Sequence, residues 1–253
     1  MPLNFSTKPA LIAYVTCGDP DITTTREIVL AAIDAGAAVI ELGVPFSDPV
    51  ADGPVIQRAS QRALQKGTTL ENVLKLAKEV RQTSKAGLIV FSYLNPVLRM
   101  GIRNFAEAAQ DAGVDGALVT DLPVEEAGEY LAQMELYNLK PVFLAAPTSP
   151  DARLKQIAEV SGGFVYAVSR TGVTGARQQL PADAQKLVKR IRKYTQLPVA
   201  VGFGISTREQ FVSVGQFADA AVVGSAIVET IERNPGREAK SVAQFVEKLI
   251  DGR

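Results

Sequence analysis

The sequence contains no histidine and no tryptophan, and its only cysteine is Cys17. Without histidine there can be no imidazole general base, no Ser–His–carboxylate triad and no histidine metal site. One cysteine excludes an intramolecular disulfide and a cysteine zinc cluster. Charge of one sign is also missing, because 27 Lys and Arg balance 27 Asp and Glu. That balance argues against a nucleic-acid footprint and against a polybasic membrane segment. The longest basic run, Lys189-Arg190-Ile191-Arg192-Lys193, falls in a helical pattern and reads as a solvated helix face. No apolar run reaches the roughly 18 residues of a membrane span. The N-terminus lacks a charged segment followed by a long apolar one, so no secretory signal is expected. A cytoplasmic location fits these absences.

What is present is a repeated unit. Short apolar runs alternate with amphipathic segments at Ala10–Thr16, Ala38–Val44, Leu88–Leu94, Ala117–Leu122, Val142–Ala146, Phe164–Ser169, Val199–Phe203 and Ala220–Val223. Continuous apolar runs of this length suit parallel strands buried on both faces. Helical patterns lie between them at Thr25–Asp34, Leu70–Ser84, Asn104–Ala112, Glu125–Tyr137, Pro181–Tyr194 and Ser241–Ile250. Gly36 and Gly113 fall between a helical pattern and the next strand, as left-handed helix caps do. Eight strands in strict alternation over 253 residues predict a (β/α)₈ TIM barrel, an α/β fold, with residues 1–253 as a single domain. An open doubly wound sheet is the alternative. It is disfavoured because Thr16-Cys17-Gly18-Asp19-Pro20 is no Gly-x-Gly-x-x-Gly turn.

Long connections follow the strands, where barrel enzymes place their chemistry. In the second run, alternation puts Ile40, Leu42 and Val44 on one face and Val39, Glu41 and Gly43 on the other. The bulky set suits the helix layer. Glu41 then points into the barrel near its active end, desolvated, with the raised pKa that a general acid–base needs. A structural pair with a buried cation is the alternative reading. Asp48 and Asp52 follow in Pro45–Pro54, as candidates for chemistry or as turn and N-cap residues. Gly202–Ser206 and Gly224-Ser225-Ala226 each end a strand and open a helix. Two such turns after strands seven and eight match the usual barrel phosphate site. Ser169–Gly175 is Gly- and Thr-rich, so Arg170–Gln179 reads as a lid or a plain loop, with Thr174 and Gly175 as candidate contacts. Tyr166 is core or pocket wall. Lys140 sits at the entrance of strand five, the wrong end for an imine-forming lysine, which argues against Schiff-base chemistry.

Glu41-Leu42-Gly43-Val44-Pro45-Phe46-Ser47-Asp48-Pro49 with Ala51-Asp52-Gly53-Pro54 resembles the signature of the tryptophan synthase alpha subunit. Thr16–Pro20, Ser169–Gly175, Gly202–Ile205 and Gly224-Ser225 match that family in order and spacing, so the resemblance spans essentially the whole chain. It implies a cofactor-free lyase that cleaves indole-3-glycerol phosphate to indole and glyceraldehyde 3-phosphate in a retro-aldol step. It further implies Glu41 as the acid–base residue and Asp52 assisting at the indole ring. Tyr14, Phe91 and Tyr166 would wall the indole, and Gly175, Gly204, Gly224 and Ser225, beside Phe203, would hold the phosphate. Tyr14 stands where phenylalanine is common. The resemblance also implies a pyridoxal-phosphate beta subunit as partner, in a heterotetramer of two alpha and two beta subunits. Competing readings are a sugar-phosphate isomerase or indole-glycerol-phosphate synthase, disfavoured by the missing His and strand-end Lys. A stand-alone lyase and a non-catalytic regulatory barrel complete the alternatives.

Overall fold

The first strand, β1 (Ala10–Thr16), is buried at all seven positions, as a strand flanked by helices on one side and a barrel interior on the other must be. The computed structural model describes residue 3 and residues 5–168, 182–202 and 204–251. After β1 come α1 (Ile22–Asp34), β2 (Val39–Gly43), α2 (Pro54–Gln65), α3 (Leu70–Thr83), β3 (Gly87–Ser92), α4 (Leu94–Met100), α5 (Ile102–Asp111) and β4 (Gly116–Val119). A 3₁₀ turn at Val124–Glu126 leads into α6 (Gly128–Leu136), then β5 (Lys140–Val142), β6 (Leu144–Ala145), α7 (Asp151–Val160) and β7 (Val165–Val168). The chain ends with α8 (Ala182–Ile191), β8 (Val199–Gly202), α9 (Arg208–Val214), β9 (Ala220–Val223), α10 (Ser225–Arg233) and α11 (Glu238–Ile250).

All strand pairs are parallel, in the order β5-β4-β3-β2-β1-β9-β8-β7-β6. The two edge strands, β5 and β6, are separated in sequence only by Phe143, whose carbonyl accepts from Tyr166 N–H at 3.1 Å. The fifth of the expected strands is therefore one segment split in two, its first half paired with β4 and its second with β7. The chain itself closes the ring, giving the expected eight-stranded barrel with nine strand segments among the described residues. Pro141 lies in the first half and has no N–H for the ladder.

Strand alternation sorts the core into two layers. Ile12, Val39, Ile89, Leu118, Val142, Phe164, Ala200 and Val222 fill the barrel interior, with Leu3 and Phe5 packed against them. Leu11, Ile40, Leu42, Leu88, Val90, Val165, Val201 and Val223 face outward onto the helices. Helix starts follow local chemistry. Asp21 caps α1 by accepting from Thr24 N–H at 2.9 Å, and Thr69 with Asn72 makes a capping box on α3. Gly113 takes φ +72° after α5, the left-handed geometry that glycine adopts at low cost. The helical pattern at Glu125–Tyr137 divides into the 3₁₀ turn and the shorter α6. Five helices, α2, α4, α7, α9 and α10, lie outside the helical patterns that periodicity marks; the turns that open α9 and α10 carry the signal instead. No helix among the described residues is long and apolar enough to cross a membrane.

Candidate active site

Glu41 is the third residue of β2 and points inward, level with Tyr14 of β1 and Ile89 of β3. It is 1% exposed, and neither carboxylate oxygen has a hydrogen-bond partner. Desolvation raises its carboxyl to about 8. Among the described residues no buried cation pairs with it. A buried polar group without partners costs free energy and calls for an explanation. Glu41 lines a cavity of about 350 Å³ at the C-terminal mouth of the barrel, within the usual range for small-molecule sites.

Asp52 turns into the same cavity from the connection after β2. Its placement is built by the residues around it. Asp52 N–H donates to the Pro49 carbonyl at 3.1 Å, and Gln57 Nε2, in the first turn of α2, donates to the Asp52 carbonyl at 2.9 Å. Gly53 occupies the cap position and Pro54 begins the helix, where a missing N–H is tolerated. Tyr93, buried after β3, accepts from Ala51 N–H at 3.0 Å and donates to the Asp52 carboxylate. Burial raises Asp52 to about 6, with the Tyr93 hydrogen bond pulling the other way. Phe46 packs on Tyr93 with ring centroids 5.0 Å apart. Asp48 lies exposed on the outside of this connection, away from the cavity, and its carbonyl accepts from Val50 N–H.

The three expected aromatic residues line the cavity too. Tyr14 and Phe91 meet edge to face, centroids 5.1 Å apart. Two glycines make room for the tyrosines. A Cβ at Gly43 would lie 2.4 Å from the Tyr14 hydroxyl, and one at Gly202 would lie 2.0 Å from the Tyr166 hydroxyl. Both rings therefore lie across bare backbone of the neighbouring strand. Burial raises both phenols above the usual tyrosine value.

Gly204, Gly224 and Ser225, in the turns after β8 and β9, line the cavity as well. Gly224 caps α10 without a side-chain hydrogen bond, so the positive end of that helix opens on the cavity. The start of α9 differs. Thr207 and Gln210 form a capping box, and Gln210 Oε1 accepts from Ser206 and Thr207 N–H. Of the two expected phosphate turns, one thus presents a helix end and the other mainly the backbone of Gly204. Phe203, Thr174, Gly175 and the lid expected over Arg170–Gln179 lie outside the described residues. Thr120, Leu144 and Val222 join the cavity wall without having been expected there, and Tyr93 supports it from behind Asp52; Leu144 and Val222 alternate inward along their strands, a signal open to sequence reading.

Comparison with known proteins shows the family. A family model described as tryptophan synthase alpha chain matches residues 2–251. The chain is 53% identical over 227 residues to the tryptophan synthase alpha chain of Solibacter usitatus, covering 90% of this chain and 85% of that protein. It is 46% identical over 243 residues to that of Neisseria meningitidis serogroup B, covering 96% and 93%. Among solved structures, the tryptophan synthase complex from Pyrococcus furiosus superposes with TM-score 0.88 at 41% identity, over 96% of this chain and 98% of that one. Tryptophan synthase from Mycobacterium tuberculosis gives TM-score 0.90 at 37% identity, over 97% and 92%. This TIM barrel, with Glu41 and Asp52 buried at its mouth and its length matched by these relatives, belongs to the tryptophan synthase alpha chain family.

Proposed function

We propose that Glu41 and Asp52 carry out the cleavage of indole-3-glycerol phosphate at the mouth of this barrel. As a tryptophan synthase alpha chain the protein is a lyase of tryptophan biosynthesis, and its products are indole and glyceraldehyde 3-phosphate. Indole leaves from C3 only after that carbon is protonated to an indolenine. Glu41, protonated at neutral pH because it is desolvated, gives that proton. The carboxylate left behind takes the proton of the adjacent glycerol hydroxyl. The carbon–carbon bond then breaks, its electron pair returns to the ring, and Glu41 ends protonated as it began. Asp52, ionised above about 6, faces the ring N–H and stabilises the positive charge of the indolenine. Proton transfer alone balances this reaction, so it needs no metal, imine or organic cofactor.

The observation that carries the reading is Glu41, a fully buried carboxyl with no partner on the wall of a substrate-sized cavity. Tyr14, Phe91 and Tyr166 would hold the indole. Gly204, Gly224 and Ser225 would receive the phosphate on backbone N–H groups and the end of α10, with Thr174, Gly175 and Phe203 completing that end. Residues 1–253 act as one domain, in the cytoplasm. The partner is a beta subunit, in a heterotetramer of two alpha and two beta subunits; that a similar chain belongs to a tryptophan synthase complex from Pyrococcus furiosus supports the partnership. The connection from Pro45 to Asp52, with Asn95-Pro96 on the same end of the barrel, is the surface we assign to it. Val50 in that connection is 81% exposed.

Titration of a cognate beta subunit while following glyceraldehyde 3-phosphate tests this. The cleavage rate should rise to a plateau, and substitutions at Pro45 or Asp48 should weaken the rise. Cleavage unchanged at saturation, with no complex by sedimentation, would leave a stand-alone lyase. No cleavage under any condition would leave a regulatory barrel.

A further inference from the structure

Behind the wall formed by Tyr14, α2 and α10 lies an ion cluster that the chemistry above does not use. Asp19, in the connection after β1, is 2% exposed. Arg62 of α2 grips it with two hydrogen bonds, Nε to Oδ1 at 2.7 Å and Nη2 to Oδ2 at 2.8 Å. The third arm of the same guanidinium, Nη1, donates to Glu232 Oε1 of α10 at 2.7 Å. Arg58, one turn earlier on α2, closes on Glu232 with bonds of 2.9 and 2.6 Å. One planar fork therefore ties three elements together, a task that suits arginine and not lysine.

Each tied element carries one part of the site. β1 carries Tyr14. α2 begins directly after Asp52-Gly53, and its Gln57 holds the Asp52 carbonyl. α10 begins at Ser225, at the proposed phosphate end. Between the cluster and the cavity, Ala59 of α2, Val228 of α10 and Tyr14 form a small apolar core. Apolar contact alone lets two helices slide, whereas the charged fork fixes their register. We propose that Arg62 is a positioning residue: by bridging Asp19 and Glu232 it holds α2, and with it Asp52, at a fixed distance from the phosphate end of the cavity. This rests on the role given to Asp52 above. Misplacing a catalytic group by about 1 Å costs up to roughly 100-fold in rate, so register at this level matters.

Two variants test it without leaving Asp19 uncompensated. Glu232→Gln keeps the Arg62–Asp19 pair and weakens only the link to α10. Arg62→Lys keeps a positive charge beside Asp19 and loses the fork. Both should fold with native circular dichroism, lower kcat by roughly 10-fold, and bind glycerol 3-phosphate within about 2-fold of the native chain. In an Asp52→Asn background, Glu232→Gln should add little further loss, because both act through one residue. Native kcat in both single variants, equal losses of kcat and glycerol 3-phosphate affinity, or fully additive losses in the double variant would overturn the proposal. Asp52→Asn assayed alone alongside separates the failures. If that variant keeps native turnover, the role given to Asp52 has failed, whatever the cluster variants do.

Discussion

Replacing Glu41 by glutamine should stabilise the protein at alkaline pH while removing its chemistry. The folded chain holds this carboxyl near 8 against 4.5 for a free glutamate, because the charged form is desolvated. A carboxyl whose folded pKa is raised binds a proton more tightly in the folded state than in the unfolded one. Its stability contribution is complete below about pH 4.5 and is lost as pH rises through about 8. Each pH unit in that window is worth about 1.4 kcal/mol, so the native chain should lose about 4 kcal/mol between pH 5 and 8 through this group alone. The amide of the Glu41→Gln variant has no proton to lose, so that protein should not show the decline. Asp52 and the other titrating groups are common to both proteins and cancel in the difference. For a chain of this size about 4 kcal/mol corresponds to roughly 8–16 °C in Tm. Chemical denaturation followed by circular dichroism at pH 5, 7 and 9 gives the comparison. The two proteins should be similar at pH 5 and diverge in favour of Glu41→Gln by pH 9. A difference that stays flat with pH would refute the claim that Glu41 is buried without a compensating partner.

Three further outcomes follow from the geometry. Asp52→Asn should lower turnover while glycerol 3-phosphate binds as before, checked by inhibition kinetics, because Asp52 is not among the groups proposed to hold the phosphate. Tyr93→Phe removes a hydrogen bond that lowers the Asp52 pKa, so the acidic limb of the kcat/KM profile should move upward from about 6. At Gly224 a Cβ would meet the Tyr14 side chain at 3.5 Å or more, ordinary contact, so Gly224→Val should fold yet raise KM strongly by filling the phosphate end.

The barrel was legible because strands buried on both faces are written as unbroken apolar runs, and the phase of one run oriented Glu41. Ile40 and Leu42 belong to the helix layer, so Glu41 between them could only face inward. The division of the fifth strand at Phe143 left no such mark, since the apolar run continues through it. Asp48 and Asp52 are equivalent in composition. Only the path of the chain, drawn in by Gln57 and by Tyr93, turns one to the cavity and leaves the other in water. Tyr93 could not be found from the sequence, because its role depends on bonds to residues about forty positions away. The capping box of Thr207 and Gln210 is a different case: its spacing is a recognisable signal, and it explains why α9 does not present the open helix end that α10 does.

The proposed cleavage depends on a single protonated glutamate. Steady-state release of indole from indole-3-glycerol phosphate by purified native chain and folded Glu41→Gln, each saturated with beta subunit, tests it most directly. A loss of roughly 100-fold or more in kcat is expected for the variant, with glycerol 3-phosphate affinity unchanged. Native-like indole release from folded Glu41→Gln would contradict it.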